Sequence, residues 1–460
     1  MTSRKSQKAT ALLISLIVLA VLSAWAVAIN SMSGANLQLG ENLQKANSAR
    51  GSAESGFDIL RFWLDRIYMP GSTEPYDRFS SLANFLAADL AVNGISNIPV
   101  EIYADHVSIG CEPNPPVVLN SSAGEYFSAE LQTTGDVDIL QMDITGSSGA
   151  VKRTIRVNYN FGTRAHTVFD YGVATKGSLE LHGNITMSGA NIELDAGVYI
   201  ECPNDVNALT IIGNSSIAGD VHITNPDATV DLQGGQAAIG GETAPGAYEH
   251  VFTGIAQTEF PVPDPTYFEH YVQNTYDPNN VLTEYQNVRI PAGTNPTFST
   301  VTLKGVVYIE TPNVVTFSGD TSITGIIVGN GDLADNSGTN QIIFLGTVDS
   351  NSVDQLGPEF GQLRDETGTF LMAPGFTASF GGNFETLNGA IAANGIQFFG
   401  DAGGTIEGSV LNYSNTPMVL DGNTDLYFNR SGTAEMPAGF GPEIILYYVP
   451  DSYSEVVLNL

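Results

Sequence analysis

A nine-residue unit, apolar-x-Gly-Asn/Asp-x-x-apolar-x-Gly, recurs in the later part of this chain and restricts the folds open to it. It is complete at residues 181–189, 211–219 and 317–325, where its first apolar positions are Leu181, Ile211 and Phe317. Looser copies follow at 380–389, 398–408 and 420–428, the first two carrying one or two inserted residues. Glycine adopts the left-handed backbone that a tight corner needs, asparagine tolerates it, and the apolar residues on either side can turn inward. Spacings of about 18 to 30 residues suit the turns of a solenoid with loops of variable length. Stacked turns would bury the inward Leu, Ile, Phe and Val as a column, a parallel β-helix; the alternative is a two-sheet β-sandwich. Between 242 and 291 the unit lapses, and a Pro-rich stretch from Phe260 with Tyr267 to Tyr276 reads as an excursion carrying one short helix.

Composition agrees with a mostly β chain: 49 Gly and 22 Pro against 14% charged residues favour short strands joined by tight turns. The formal charge is 17 − 49 = −32. Eight of the seventeen basic residues lie at or before Arg78, three more are Lys152, Arg153 and Arg156, and six remain beyond Phe161. Without clustered Lys and Arg, nucleic acid is excluded as a partner. An acidic surface of this kind keeps a protein soluble, and it can also attract divalent cations. Cys111 and Cys202 either form one disulfide, if the body is exported, or stay as two thiols.

The second constraint lies at the other end. Residues 9–29 carry no charge and follow Arg4, Lys5 and Lys8. Twenty-one residues at 1.5 Å each span about 30 Å, the hydrocarbon thickness of a bilayer, and only a helix satisfies its backbone there. The basic leader, 1–8, should stay cytoplasmic and the rest face outward. A cleaved signal is the competing reading, since Ala24-Trp25-Ala26 and Ala26-Val27-Ala28 both offer small-x-small sites. The run is longer than an ordinary signal core, which favours a retained anchor.

After a break expected at 31–34, Leu39, Leu43, Ala46, Ala49, Ala53, Phe57, Leu60, Leu64 and Ile67 recur at steps of three or four. This predicts a second helical segment over 30–70, ended by Pro70-Gly71 and continuing the anchor. Phe79, Leu82, Phe85, Leu86 and Leu90 predict a short amphipathic helix. Alternating runs at Phe127, Val137 and Thr154, with turns at Thr134-Gly135 and Gly146 to Gly149, predict a meander. The expected domains are therefore a small α+β head over 71–165, the repetitive body over 166–440 and a C-terminal strand or tail over 441–460.

The leader, the Ala-Thr-Ala-Leu-Leu-Ile opening of the apolar run, Glu41-Asn42-Leu43, Ala46-Asn47-Ser48-Ala49 and Ala53-Glu54-Ser55-Gly56-Phe57 together resemble the PilX-type N-terminal segment of minor type IV pilins. The resemblance covers about the first 65 residues. It implies a helix that anchors the subunit in the inner membrane before assembly and is buried in a pilus core afterwards, with other pilins or pilus assembly proteins as partners. The chain departs from that family's processing site, which has Gly before the apolar run and Glu at its fifth position; Lys8 and Leu13 stand there instead. The stretch from Val168 to Asn184 also resembles the repetitive β domains that follow such segments.

No catalytic constellation stands out. Polysaccharide lyases and hydrolases need a positioned base or paired carboxyl groups, and Lys176, Arg289, Lys304, Arg364 and Arg430, with Arg164 just before them, are scattered singly. The six histidines show no ligand spacing, although Tyr248-Glu249-His250 and Phe268-Glu269-His270 are twin tripeptides. Asp332, Asp335 and Asn336 form an oxygen-rich stretch that could hold calcium but departs from the EF-hand pattern, so a turn is expected. No cofactor motif is present. The sequence thus predicts a non-enzymatic, pilin-like surface protein, single-pass in the inner membrane or displayed on a pilus, its acidic body serving adhesion or assembly. A membrane-tethered or secreted protein that binds or cleaves extracellular polysaccharide is the alternative.

Overall fold

The computed structural model describes residues 3–71, 73–103, 105–203, 206–431 and 436–456. The first two residues of the expected leader and the last four of the expected C-terminal tail lie outside the described residues. The chain is mostly β, 43% strand against 23% helix. It divides into two units, residues 1–163 with 444–460, and residues 164–443.

The first unit begins with one helix, Ser3–Leu64, of 62 residues, about 90 Å long at 1.5 Å per residue. The break expected at 31–34 is absent. A lone Gly34 costs a helix only about 1 kcal/mol relative to Ala, and no proline interrupts the hydrogen-bond ladder. The helix stops at Leu64, short of the expected 70, and Tyr68–Pro70 is a short strand instead. Ala49, Ala53, Phe57, Leu60 and Leu64 are buried as one stripe, as the three-and-four spacing requires.

That stripe lies on an antiparallel sheet. Strands Glu125–Thr133, Ile139–Ser148 and Val151–Arg164 are consecutive neighbours, with Ala129 opposite Ile144 and Ile144 opposite Ile155. Gly146 sits inside the second of these strands and not in a turn. Its glycine is required by the helix above: a Cβ there would fall 2.1 Å from the Ala49 carbonyl oxygen and 2.2 Å from the Ala53 nitrogen. Gly146→Val should therefore destabilise this unit by about 3 kcal/mol or more, the upper end of overpacking because the obstacle is backbone. Denaturant unfolding followed by tryptophan fluorescence checks this, since Trp63 is in the same core. Helix Arg78–Val92 buries Phe79, Leu82, Ala83, Leu86 and Leu90, while Phe85 faces solvent. In the C-terminal segment, strand Glu443–Val456 lies between Tyr68–Pro70 and Val151–Arg164 in this same sheet.

In the second unit the strands pair almost throughout in parallel. The first apolar position of each repeat copy falls into register. Phe298 pairs with Phe317, Phe317 with Phe344, Phe344 with Phe380, and Phe380 with Phe398. The column continues through Leu420, Leu181, Ile211 and Leu232. The rings from Phe298 to Phe398 stack at centroid distances of 5.4, 4.9, 4.9 and 5.0 Å. At the corner, the repeat's asparagines form a ladder. Asn214 donates to Asn184, Asn184 to Asn423, and Asn423 to Asp401, at 3.0, 2.8 and 3.2 Å. The glycines beside them, Gly213, Gly183 and Gly422, all have positive φ. A Cβ on Gly213 or Gly183 would lie 2.4 Å from the carbonyl oxygen of the adjacent turn.

The spatial order departs from the chain order. Strands Val173–Thr175 and Leu179–Gly183, the first turn of this unit, are flanked on one side by Val198–Ile200 and Asn207–Gly213. On the other side lie Val410–Asn412 and Met418–Gly422, from the last turn. The excursion is narrower than 242–291: Val251–Thr253 still pairs in parallel with Val221–Ile223, and Asn274–Thr275 with Glu284–Ile290. Between them the expected short helix is a 3-10 turn, Pro265–Tyr271, capped by the Asp264 carboxylate, which accepts from the Thr266 and Tyr267 amides.

Candidate functional site

The feature with the clearest chemistry is the first part of the long helix. Over Leu12–Leu64 this helix is long and apolar enough to cross a membrane, and its most apolar stretch of 18 residues is not buried in the protein. Leu12, Leu16, Leu19, Leu22, Trp25 and Ile29 are each more than half exposed. Soluble proteins seldom leave so long an apolar surface in water. Burial begins at Ala49, so one helix carries a bare apolar stretch and, at its far end, a part docked on its own sheet.

The Ala53-Glu54-Ser55-Gly56-Phe57 stretch belongs to the docked half, and its residue types follow from that packing. Ala53 is fully buried; a Cβ on Gly56 would come within 2.6 Å of the Phe127 ring; Phe57 packs on Tyr448 with ring centroids 5.0 Å apart. Glu54 accepts from the Arg50 guanidinium and the Tyr453 hydroxyl, both at 3.0 Å.

The other candidates from the sequence are placed as follows. Asp332 accepts from the Ala334 amide, Asp335 from Ser337 and Asn340, and Asn336 from Asn394. Their oxygens are turned into the loop's own hydrogen bonds, and those bonds, that from Ser337 first, hold the Asp335 carboxyl below the usual range. No disulfide joins Cys111 to Cys202. The twin tripeptides do not converge: His250 bonds Asp220 at 2.7 Å, whereas Glu269 pairs with Arg289 and His270 stacks on Tyr271. The scattered cations are engaged locally. Arg289 bridges Glu269 and Glu310, Lys304 pairs with Glu284, and Arg430 with Asp195. Arg364 donates to the Asp354 carbonyl, and Lys176 lies over the Phe260 and Tyr413 rings.

Sequence reasoning missed one cluster. Among the described residues, His166, Glu259 and Glu443 are the group of three side chains whose ligating atoms lie within 4.8 Å of one another. His166 precedes the 3-10 turn Thr167–Asp170, Glu259 lies in the excursion and Glu443 is the last residue of the unit. No short spacing links them, so no motif could have signalled them. His166 is 3% exposed and Glu443 1%. The Arg164 Nε donates to Glu443 Oε2 at 2.5 Å, whereas His166 Nδ1 and Glu259 Oε2 are buried without a hydrogen-bond partner. Burial is the main force on both groups: it keeps the imidazole below its ordinary value and, with Glu443 adding to it, raises the Glu259 carboxyl.

His222 offers a separate pH handle. It stacks on Phe252 at 5.2 Å and meets the edge of Tyr171 at 5.4 Å. Burial lowers its pKa, against the opposing pull of Asp220. The unfolded chain then takes up the proton first, near 6.5, so the stability this ring supplies is present above that pH and lost as pH falls below it. Thermal melts between pH 7.5 and 5.5 should show a smaller acid-side loss for His222→Phe, which keeps the stacking, than for the parent. Equal slopes would rule the histidine out as a contributor.

These features define a mostly β chain carrying one helix able to cross a membrane. No protein-family model matches it, and no curated protein matches it in sequence. Among solved structures, the competence-associated pilin ComZ from Thermus thermophilus aligns over 90% of this chain and 97% of its own, at 11% identity and a TM-score of 0.30. An ice-binding protein from an Arctic yeast, LeIBP, aligns over 58% and 94% at 13% identity and a TM-score of 0.17. At these scores neither likeness defines a shared fold or role.

Proposed function

We propose that this chain is a non-enzymatic, pilin-like subunit. Its bare helix sits in the inner membrane before assembly and in a filament core afterwards, while its acidic body is displayed for adhesion or assembly. The observation that carries this reading is that the Ser3–Leu64 helix carries a bare apolar stretch and, at its far end, a part whose stripe docks on its own sheet. A signal sequence has no use for a rigid continuation into the folded unit, whereas a subunit that must project from a membrane or a helical core does. The PilX-type segment at 41–57 is compatible with it, since its Ala53 and Gly56 let the helix approach the sheet closely.

The body in this proposal is a parallel β-helix. Parallel in-register pairing from Phe298 to Leu232 supports that architecture over a sandwich, whose strands pair mainly antiparallel. Local pairing of Arg289, Lys304 and Arg430 with single carboxylates is compatible with display. Intact-mass measurement of the mature chain tests the anchor. A mass beginning near Ala9 or at Met1 fits it; one beginning near Val27 means a cleaved, secreted protein. Turnover of acidic polysaccharides by the purified protein would overturn the non-enzymatic reading.

A further inference from the structure

We infer that His166, Glu259 and Glu443 form a binding site for one divalent transition-metal ion of the Zn2+ type, fixed where the chain enters and leaves the second unit. The geometry supplies one imidazole and two carboxylates whose ligating atoms lie within 4.8 Å of one another. Closing by roughly an ångström around an ion brings them to the about 2.0–2.2 Å of zinc–nitrogen and zinc–oxygen bonds. Three protein ligands leave one position for water, the pattern of an open zinc site.

An exposed acidic cluster would carry no such inference, but this one is different in kind. His166 is 3% exposed, yet its Nδ1 has no hydrogen-bond partner, and the neighbouring Glu259 Oε2 is also buried and unpartnered. Buried polar atoms are nearly always paired, so two such atoms in one cluster point to a partner there. A metal ion accepts electron pairs from the nitrogen and from both carboxylates together, whereas one bridging proton joins only two of the three groups. Glu259 and Glu443 bring two negative charges; Arg164 pairs with Glu443, while Lys176 acts on Glu259 through space without a hydrogen bond, which leaves the carboxylate oxygens open to an ion. The imidazole selects against calcium, which takes oxygen ligands alone.

Such an ion would tie together three segments far apart in sequence: the entry at His166, the excursion at Glu259 and the exit at Glu443. The body's two chain ends would then be clipped to each other, so a pull on either is borne by the metal and by the Arg164–Glu443 pair.

The test uses the full chain in detergent, stripped with a chelator and titrated with Zn2+ against a chromophoric competitor, alongside Glu259→Gln and His166→Gln. We expect one saturable equivalent per chain, at least about tenfold weaker in each variant, and a rise in melting temperature on adding Zn2+ that both variants lose. Millimolar Ca2+ should not displace the ion. Metal-free melts of Glu259→Gln matching the parent show that the variant is folded. No saturable site, affinity unchanged in both variants, or displacement by Ca2+ would overturn the assignment, the last two by placing binding on surface carboxylates.

Discussion

Deleting residues 12–29 will move the protein from the carbonate-resistant membrane fraction to the supernatant while both folded units persist. The segment removed holds eleven Leu, Ile and Val residues. At about 0.3–0.6 kcal/mol of insertion free energy each near a helix centre, they supply about 3–7 kcal/mol. That is a partition factor of about a hundredfold or more, since each 1.4 kcal/mol is tenfold. None of these side chains stabilises either unit, because none is buried in them. Circular dichroism of the truncated protein should therefore retain the β signal and lose helix. A truncated chain that stays in the membrane would locate attachment elsewhere.

Phe344→Ala will destabilise the body by about 4 kcal/mol. The ring is 1% exposed and lies between Phe317 and Phe380, each at 4.9 Å with planes 11° apart. Truncating a buried phenylalanine costs about 3–5 kcal/mol through lost burial and the cavity left behind, and ring contacts add about 0.5–1.5 kcal/mol each. Phe344→Leu keeps much of the volume and should lose well under half as much. Because Phe344 pairs with Phe317 on one side and Phe380 on the other, damage there is felt on both sides. The check is the shift in denaturant midpoint of the full chain, and an unchanged midpoint would mean that the column is not the core.

Much of this architecture is legible in the residues. The repeat's first apolar position marks the inward column from Phe317 to Leu181 and Ile211, and its asparagine marks the corner ladder, because one local geometry is used at every turn. What the sequence hides is long-range. Leu420 and Leu181 carry the same signal as any two neighbouring copies, and nothing in either says that the last turn returns beside the first. That outcome depends on the path taken through the excursion. Gly146 misleads for a related reason: glycine usually punctuates a strand, and here it makes room for a helix whose position is set by Ala49 and Ala53. At Ser31 to Gly34 local propensity signals a break, but a single glycine cannot outweigh an otherwise uninterrupted ladder. The His166, Glu259 and Glu443 cluster is invisible along the chain because three separate segments bring it together.

A helix shared between membrane and filament, as proposed, can be followed by fractionating sheared surface filaments from cells with and without the pilus assembly machinery. The protein should be in the sheared filaments of intact cells and absent from those of the deletion strain, where it accumulates in the inner membrane. If it stays in the membrane fraction unchanged in both, the chain is a tethered surface protein and not a filament subunit.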